Sequence, residues 1–154
     1  MSVCYNGHGS CVLVTTERGY RMPFTDIQRA FLAPPRYGTV ATIRADGTPS
    51  LFTVWYDLDG DDIWFITRQD LAKLRHIERD PRVAFHVVDP SGYPYLAVNG
   101  TATISIDEDY RKRLQMATRY RGSEGGKRYL VENPLPKPPA VVRITVAHVS
   151  GMGA

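Results

Sequence analysis

Residues 67–76, with the sequence TRQDLAKLRH, contain the most informative polar side chains of this chain. The segment runs from the end of a predicted strand into the start of a helix, where free backbone N–H groups and the helix dipole attract anions. Lys73 lies in that first turn, where the dipole disfavours a cation unless an anion binds beside it. Arg68 precedes the helix, and the Thr67 hydroxyl could bond a polyol chain or a phosphate oxygen. The pattern predicts a site for a phosphate-bearing ligand.

A structural interpretation of the same segment stays open. Lys73, Arg75 and Arg79 would then form a solvated helix face, which is the usual position of such side chains. Arg75 would pair with Glu78 or Asp80. The spacing of residues elsewhere shows no glycine-rich phosphate loop, no Ser/His/Asp arrangement and no paired carboxylates. No catalytic side chain is therefore predicted, and a bound cofactor would have to supply the chemistry.

The N-terminal segment contains a second group of reactive side chains. Cys4, His8 and Cys11 form a C-x3-H-x2-C pattern, which offers three zinc ligands where a structural site requires four. No second Cys/His pair follows in this segment to complete the site. We favour free thiols in a loosely ordered extension over residues 1–22, and we predict no metal site.

Length and composition restrict the class of protein. The chain has 154 residues, of which 43% are hydrophobic and 23% are charged, as in an ordinary single globular domain. The net charge of +3 is too small to indicate nucleic-acid binding without a clustered basic face. No apolar run reaches the roughly 20 residues of a membrane span, and the first residues do not resemble a secretory signal. We expect a cytoplasmic protein that binds neither membrane nor nucleic acid.

Turn signals and hydrophobic patterning predict the elements that position these residues. A first helix over 24–33 begins with a capping box of Thr25 and Gln28 and ends before Pro34. A second helix covers 71–79, and a third begins after residue 107. Strands are predicted over 39–44, 50–57, 62–67, 82–88, 95–106 and 141–149, the fifth with a bulge near Gly100.

Several finer details of these elements are also predicted. Ile27, Ala30 and Phe31 form the apolar side of the first helix. Asp70 is the N-cap of the second helix, whose apolar face is Leu71, Leu74 and Ile77. Asp107 caps the third helix, where Tyr110, Leu114 and Ala117 recur at helical spacing. The segments 122–126 and 134–139 are predicted as loops.

Six strands joined by short turns indicate an antiparallel sheet that closes into a barrel, because closure removes exposed edges. The chain is therefore predicted to be mainly β, in the α+β class, with about three short helices. No internal repeat or long linker divides it, so we assign one domain to residues 23–154.

Three motifs carry a resemblance to a known family. They are the A-x-x-x-A-D-G-x-P hairpin at 41–49, the V-W-Y-D strand at 54–57 and the A-K-x-R-x-I-x-x-D-P-R helix at 72–82. In this order and at these intervals they resemble the pyridoxamine 5′-phosphate oxidase-like split β-barrel family, which binds flavins and deazaflavins. The closer similarity is to its F420-dependent oxidoreductase branch. The resemblance covers residues 24–106 well and the C-terminal ITVAHVSGMG more loosely.

The resemblance implies an FMN-binding type of split barrel and a set of cofactor contacts. Lys73 would bind the cofactor phosphate, and the end of the preceding strand would contact the ribityl and phosphate portion. The strand along the tricyclic ring would act largely through backbone groups. His76 occupies a site position where relatives often have Asn, and Leu71 stands where many have a second basic residue. The implied cofactor-binding residues are Thr53, Val54, Trp55, Tyr56, Thr67, Arg68, Lys73 and His76.

The function implied is hydride transfer between reduced deazaflavin, F420, and an activated or conjugated small-molecule acceptor. The site would lie between the two subunits of a homodimer. Two alternatives are an FMN-dependent oxidase or reductase of the same fold and a non-catalytic module that binds flavin or haem. Trp55 and Trp64 would stack in the pocket or be ordinary sheet aromatics, the latter being favoured for Trp64. Tyr93 and Tyr95 are candidates for the wall of the substrate site.

Overall fold

The computed structural model describes residues 24–153, and the Cys4/His8/Cys11 pattern lies outside these residues. The described part forms one seven-stranded antiparallel sheet with three helices. The helices are α1 (Asp26–Leu32), α2 (Ala72–Arg79) and α3 (Arg111–Glu132). The strands are β1 (Tyr37–Ile43), β2 (Pro49–Trp55), β3 (Asp57–Asp59), β4 (Asp62–Thr67), β5 (Arg82–Val88), β6 (Tyr95–Ile106) and β7 (Ala140–Met152).

The connection from β2 to β3 closes the sheet into a split barrel. The strand order is β2-β1-β5-β6-β7-β4-β3, so β2 and β3 form opposite edges of the sheet. Only Tyr56 separates these two strands in the chain, and the sheet must therefore curl until its edges meet. Residues of β2 accordingly lie close to β4 without pairing with it. We call this gap between β2 and β4 the seam.

The predicted antiparallel barrel is confirmed, with seven strands instead of six. The predicted strand 50–57 divides at Tyr56. The pairing of β2 with β1 ends at Trp55, Asp57 pairs with Trp64 of β4, and the hairpin turns at Gly60 and Asp61. Gly60 has a positive φ of 64°, a conformation that favours glycine. A segment predicted as a turn therefore contributes a short edge strand.

The core fills the barrel interior with side chains from every long strand. Its largest fully buried members are Tyr56, Phe65 and Phe85, while Trp64, which is also fully buried, belongs to a separate cluster with Met116 and Val141. The Tyr56 ring meets Phe85 edge-on at 5.1 Å, and its hydroxyl donates to the Leu32 carbonyl at 3.1 Å. Burial of each large apolar side chain stabilises the fold by about 1.5–3 kcal/mol.

Helix α1 has the predicted capping box, since the Thr25 and Gln28 side chains each accept from the other's backbone N–H. The predicted apolar face is wrong. Ile27 is 70% exposed and Ala30 is exposed, whereas Phe31 and Leu32 are buried. Only the last turn of this short helix reaches the barrel core. Helical spacing over the whole segment therefore predicts more buried residues than the helix has.

Helix α2 begins at Ala72, and its N-cap is Leu71, which makes no side-chain hydrogen bond. The predicted capping role of Asp70 is wrong because its carboxylate pairs with the Arg68 guanidinium at 2.6 Å. Leu74 and Ile77 are buried as expected, while Leu71 is 37% exposed. The unexpected member of the buried face is Lys73.

The predicted irregularity near Gly100 is confirmed, because the register of β6 with β7 shifts between Asn99 and Gly100, but the extra residue is Ala147 on β7. A Cβ atom at Gly100 would lie 2.2 Å from the Thr145 carbonyl oxygen. Only glycine allows the two backbones this approach, so the bulge is fixed by sequence.

Helix α3 continues through segment 122–126, so the predicted loop there is wrong. Gly122 has φ 74° and breaks the helix into two halves. A Cβ at Gly126 would come within 2.7 Å of the Thr118 backbone, so these glycines allow a kink and close packing of the two halves of the helix.

The predicted capping role of Asp107 is confirmed. Its carboxylate accepts hydrogen bonds from the backbone N–H groups of Lys112 and Arg113 at 3.1 and 2.8 Å. No helix within residues 24–153 has both the length and the apolar character needed to cross a membrane.

Candidate functional site

The first half of α3 covers the seam and bonds to the backbone exposed there. The Tyr120 hydroxyl accepts from the Tyr56 backbone N–H at 3.0 Å and lies 2.5 Å from the Arg36 carbonyl, to which it donates. Arg119 donates to the Tyr56 carbonyl at 3.1 Å and pairs with Asp57 at 3.2 Å. These hydrogen bonds take the place of the strand pairing between β1 and β2, which ends before Tyr56, and they hold α3 over the seam.

Beside this contact the seam opens into a cavity of about 280 Å³ with mainly aromatic and apolar walls. We call it the aromatic compartment. Trp55 is its central side chain and stacks on Tyr120 with ring centres 4.8 Å apart and planes 8° from parallel. Its lining comprises Tyr37, Thr53, Val54, Trp55, Ile66, Lys73, Arg113, Met116, Ala117 and Tyr129.

A second cavity, of about 440 Å³, adjoins the first, and we call it the polar compartment. The two share Ile66, Lys73, Arg113 and Tyr129, so they form one continuous cleft. The polar compartment lies where β4 ends and α2 begins, the corner that the sequence predicts as an anion site. Its lining comprises Ile66, Thr67, Arg68, Leu71, Lys73, Arg113, Tyr129, Asn133, Pro134 and Leu135.

Lys73 is buried at the junction of the two compartments, with 8% of its surface exposed. Its ammonium lies 4.8 Å from the centre of the Phe52 ring. Within residues 24–153 it makes no ion pair or hydrogen bond, and burial lowers its pKa. The structural interpretation, a solvated helix face, is thus wrong for Lys73. An amphipathic helix would normally bury an apolar residue here.

Thr67 provides a second buried polar group in the polar compartment. The residue is 6% exposed, and its hydroxyl has no hydrogen-bond partner in the described part of the chain. Buried hydroxyls are nearly always hydrogen-bonded, and an unpaired one costs about 1–3 kcal/mol. An oxygen-bearing ligand at this corner would satisfy it.

Arg68 also lines the polar compartment, but its charge is already compensated. Its guanidinium makes two hydrogen bonds to Asp70, at 3.0 and 2.6 Å. The hydrogen bond from Arg68 lowers the pKa of Asp70, which therefore stays ionised near neutral pH. Both side chains are about half exposed, so Arg68 lies at the mouth of the cleft.

The predicted ring-contacting residues of β2 separate into two groups. Thr53, Val54 and Trp55 line the aromatic compartment. Tyr56 does not, because its side chain is in the barrel core and its backbone groups are bonded to Tyr120 and Arg119. Since β2 is an edge strand, part of its backbone faces away from β1 and is available to a ligand.

His76 is not part of either compartment. Its Nδ1 lies 2.9 Å from the Thr42 hydroxyl, and its ring is 6.2 Å from Phe52. Burial lowers its pKa, and Arg79 adds to that effect. The structure thus places His76 on the β1 side of α2 and leaves Lys73 facing the cleft.

Trp64 and the two tyrosines also lie outside the cleft. Trp64 is fully buried beneath Lys112, whose ammonium is 4.6 Å from the indole centre, so it is an ordinary sheet aromatic. Tyr93 is 65% exposed and contacts Met152. Tyr95 pairs with Met152 at the start of β6. Neither tyrosine lines the cleft described above.

Three cleft residues from α3, Arg113, Met116 and Tyr129, are absent from the sequence-based predictions. Arg113 is 7% exposed, donates to the Asn133 carbonyl and lies 5.7 Å from the Tyr129 ring. The helical spacing of Arg113, Met116 and Tyr120 could have predicted the position of Arg113, because it places the arginine on the buried face of α3. Tyr129 was hidden because the helix was predicted to stop before it.

The donor set fits a planar cofactor with an anionic tail. The aromatic compartment offers flat side chains and the free edge of β2 to a ring. The polar compartment offers Lys73, Arg113 and the unpartnered Thr67 hydroxyl to a phosphate. Small-molecule sites are typically concave, mostly apolar and supplied with a few such polar groups.

Comparisons with known proteins agree with this geometry. A family model described as pyridoxamine 5′-phosphate oxidase matches residues 24–153. A solved structure of an F420 reductase is similar at 29% sequence identity and a TM-score of 0.65, covering 79% of this chain and 94% of the reductase. A conserved hypothetical protein from Mycobacterium tuberculosis is similar at 27% identity and a TM-score of 0.66, covering 90% and 89%.

More distant structures share the fold. A pyridoxamine 5′-phosphate oxidase-related, FMN binding protein from Nostoc punctiforme is 19% identical, with a TM-score of 0.53 over 75% of this chain and 73% of that protein. At this identity the similarity supports the split-barrel architecture alone.

Proposed function

The chain belongs to the pyridoxamine 5′-phosphate oxidase family, and from that membership we propose that it is an F420-dependent oxidoreductase. The reaction is hydride transfer between reduced deazaflavin and an activated or conjugated small-molecule acceptor. The observation that carries the proposal is the two-part cleft, in which an aromatic compartment adjoins a buried, unpaired lysine. The similarity to an F420 reductase supports the choice of cofactor.

Lys73 and Thr67 are the proposed phosphate-binding residues. Lys73 supplies charge from the first turn of α2, where the N–H groups of the helix start add to the attraction for an anion. Thr67 donates its hydroxyl from the end of β4.

The free edge of β2 and the Trp55 side chain form the proposed wall for the ring. Bound cofactor would supply the hydride, and the protein would orient the ring and exclude water. Backbone N–H groups at the edge of β2 are suited to stabilise negative charge that develops on the ring. The Tyr120 hydroxyl serves to position Trp55 and α3, because it is bonded to the backbone and burial raises its pKa.

A homodimer with the cofactor between its subunits is also part of the proposal. The resemblance to the family implies it, and the surface beside the cleft supports it. Tyr37 is 66% exposed at the opening of the aromatic compartment, and Leu51 is 68% exposed on the edge strand β2. A second copy would cover both. Light scattering should show a dimer at micromolar concentration, and a monomer would contradict the shared site.

Titration of the purified protein with F420 and with FMN tests the cofactor choice. We expect saturable binding of F420 and weaker binding of FMN, followed by oxidation of reduced F420 in the presence of enones or quinones. Tight FMN binding with oxygen consumption would establish the FMN-dependent alternative. Affinity without turnover for either cofactor would identify a binding module, and no affinity for either would refute the proposed function.

A further inference from the structure

Gly122 interrupts α3 with a backbone conformation that only glycine adopts easily. Its φ of 74° and ψ of 172° lie outside the helical range, although α3 continues on both sides of it. A Cβ atom at this position would meet nothing within 4 Å, so the conformation, and not close packing, requires the glycine. Moving segments absorb their change of φ and ψ at one or a few residues of this kind. Gly122 therefore has the position and the freedom of a hinge.

The half of α3 before Gly122 is anchored to the barrel. Arg119 donates to the Ala33 carbonyl at 2.8 Å and to the Tyr56 carbonyl at 3.1 Å. The Tyr120 hydroxyl accepts from the Tyr56 backbone N–H at 3.0 Å. The buried side chains of this half are Arg113, Met116 and Ala117. It is thereby joined to the barrel by both hydrogen bonds and packing.

The half after Gly122, residues 123–132, has much weaker attachments. Within residues 24–153 its side-chain ion pairs connect its own members. Among residues 123–132, Gly126 alone is buried, and it lies against the Thr118 backbone. Gly125 and Gly126 are also poor helix formers in the interior of this half. Segments with few buried apolar contacts open locally at a low free energy, so this half is suited to move separately from the barrel.

Tyr129 is the residue that joins this half to the cleft. It lines both compartments, at the place where they meet. Its ring centre lies 5.3 Å from that of Trp55. The guanidinium carbons of Arg121 and Arg113 lie 5.0 and 5.7 Å from the same ring. Ring contacts of this kind are individually weak, so they can hold the half against the cleft and still release it.

We propose that residues 123–132 form a lid that is hinged at Gly122 and latched by Tyr129 over the cleft. In the closed position Tyr129 lies against Trp55 and forms part of the wall of both compartments. Displacement of the lid opens that wall and lets a planar ligand enter or leave. The inference rests on the proposed function for the identity of this ligand, which would be the cofactor. Tyr129 is then a positioning residue that determines how long the cofactor stays bound.

Hydrogen exchange of the ligand-free protein tests whether the two halves of α3 move separately. We expect the backbone amides of residues 123–132 to exchange at least about tenfold faster than those of residues 115–121, because a lid opens while the barrel stays folded. Equal exchange in the two halves would show one rigid helix and would overturn the proposal.

Acrylamide quenching of tryptophan fluorescence tests the hinge. The chain has two tryptophans, and Trp64 is fully buried, so the quenchable signal comes from Trp55 beside Tyr129. Gly122→Ala disfavours the closed backbone and should raise the quenching constant of Trp55 at least about twofold. Gly47→Ala is the matched control, because Gly47 also has a positive φ, 83°, and open space around it, but lies between β1 and β2. An unchanged quenching constant in Gly122→Ala would contradict the hinge.

Stopped-flow binding of F420, or of FMN if only FMN binds, tests the latch. Tyr129→Ala should raise the dissociation rate constant at least about fivefold, and it should also raise the association rate constant, because the open lid is more populated. A fixed wall residue would change dissociation alone, and that result would contradict the latch. Tyr129→Phe keeps the ring and should bind like the unchanged protein. Val131→Ala, at a position on the same half that is 80% exposed, is the control.

The ligand-free experiments separate this inference from the proposed function. If exchange and quenching behave as expected but neither F420 nor FMN binds, the lid is established and the oxidoreductase proposal fails. If F420 is bound and oxidised while quenching and binding rates stay unchanged in the variants, the lid is wrong and the oxidoreductase proposal stands. If Gly122→Ala does not fold, hydrogen exchange and the association rate of Tyr129→Ala still decide the question.

Discussion

Two groups of basic side chains in this protein have opposite surroundings. On the outer side of β7, Arg143 donates to Asp59 at 2.6 Å and to Asp62 at 3.2 Å. The hydrogen bond from Arg143 lowers the pKa of Asp59, so the pair is charged at neutral pH. In the cleft, Lys73 and Arg113 are more deeply buried but have no carboxylate partner within residues 24–153.

This difference separates a cation whose charge the protein compensates from two cations that we propose to bind a ligand. Arg143 joins β7 to the β3–β4 hairpin, and its charge is compensated by the protein. Lys73 and Arg113 stabilise nothing comparable, and their burial reduces the stability of the ligand-free chain. Functional sites often retain such a cost because the ligand offsets it.

Arg68 is the intermediate case. It lines the cleft as Lys73 and Arg113 do, but it is paired with Asp70 as Arg143 is paired with Asp59. Its contribution to anion binding should therefore be smaller than that of Lys73.

The largest effect is expected from Lys73→Ala. Loss of a charge-assisted hydrogen bond should weaken cofactor binding by about 1.5–3 kcal/mol. Fluorescence titration measures this, with Lys127→Ala, an exposed lysine on α3, as the control. Unchanged affinity in Lys73→Ala would show that Lys73 does not bind the phosphate. The contrast between the cleft cations and Arg143 would then have no functional meaning.

Arg143→Met should act on stability instead of binding. Removing the guanidinium from two carboxylates, one of them mostly buried, should lower the free energy of unfolding by about 2 kcal/mol. Urea denaturation measures the loss, and Arg128→Met at an exposed ion pair should change stability far less. The comparison would break if Arg143→Met kept full stability and lost cofactor affinity.

Lys73→Met should stabilise the ligand-free protein by about 1 kcal/mol at neutral pH, because it removes a buried, unpaired charge. Burial lowers the pKa of Lys73 below its usual 10.5. Between the lowered pKa of folded Lys73 and the pKa of 10.5 in the unfolded chain, the unfolded chain holds more protons than the folded one. The unchanged protein therefore gains stability as pH rises through that window. The advantage of Lys73→Met should therefore shrink toward pH 10.5 in urea titrations at several pH values. A destabilised variant at neutral pH would show that Lys73 supports the fold.

The smallest effect is expected from Asp70→Asn. This change removes a negative charge at the mouth of the cleft and releases Arg68 toward the ligand. Because both side chains are about half exposed and solvent screens their charges, cofactor affinity should rise by only about twofold. Asp109→Asn, another exposed aspartate paired with an arginine, should leave affinity unchanged. Weaker binding in Asp70→Asn would show that the Arg68–Asp70 pair itself holds the ligand site together.

Much of the fold was predictable because its signals are local. The bounds of β4, β5 and β6 follow from alternating apolar residues and nearby turn signals, and the structure confirms them. The capping box at Thr25 depends on residues three positions apart. The meeting of Thr67 and Lys73 at one corner was predictable for the same reason, since one strand end and the next helix start create that corner.

The errors fall where a residue has two possible local roles and its type alone does not decide between them. Asp70 has the type and position of an N-cap, but Arg68 competes for its carboxylate. Segment 122–126 has the composition of a loop, but its glycines permit a kinked helix to pack closely on itself. Tyr56 lies in a motif assigned to the cofactor ring, but the crossing from β2 to β3 turns its side chain into the core.

The sequence by itself determined which segments form strands and helices and that Thr67 and Lys73 meet where β4 hands over to α2, because those properties depend on neighbouring residues. Tertiary structure decided that α3 covers the seam, and that Arg113 enters the cleft beside Lys73 while Arg143 finds two carboxylates. Whether a buried cation is compensated depends on side chains far away in the chain, and only the folded barrel brings them together or keeps them apart.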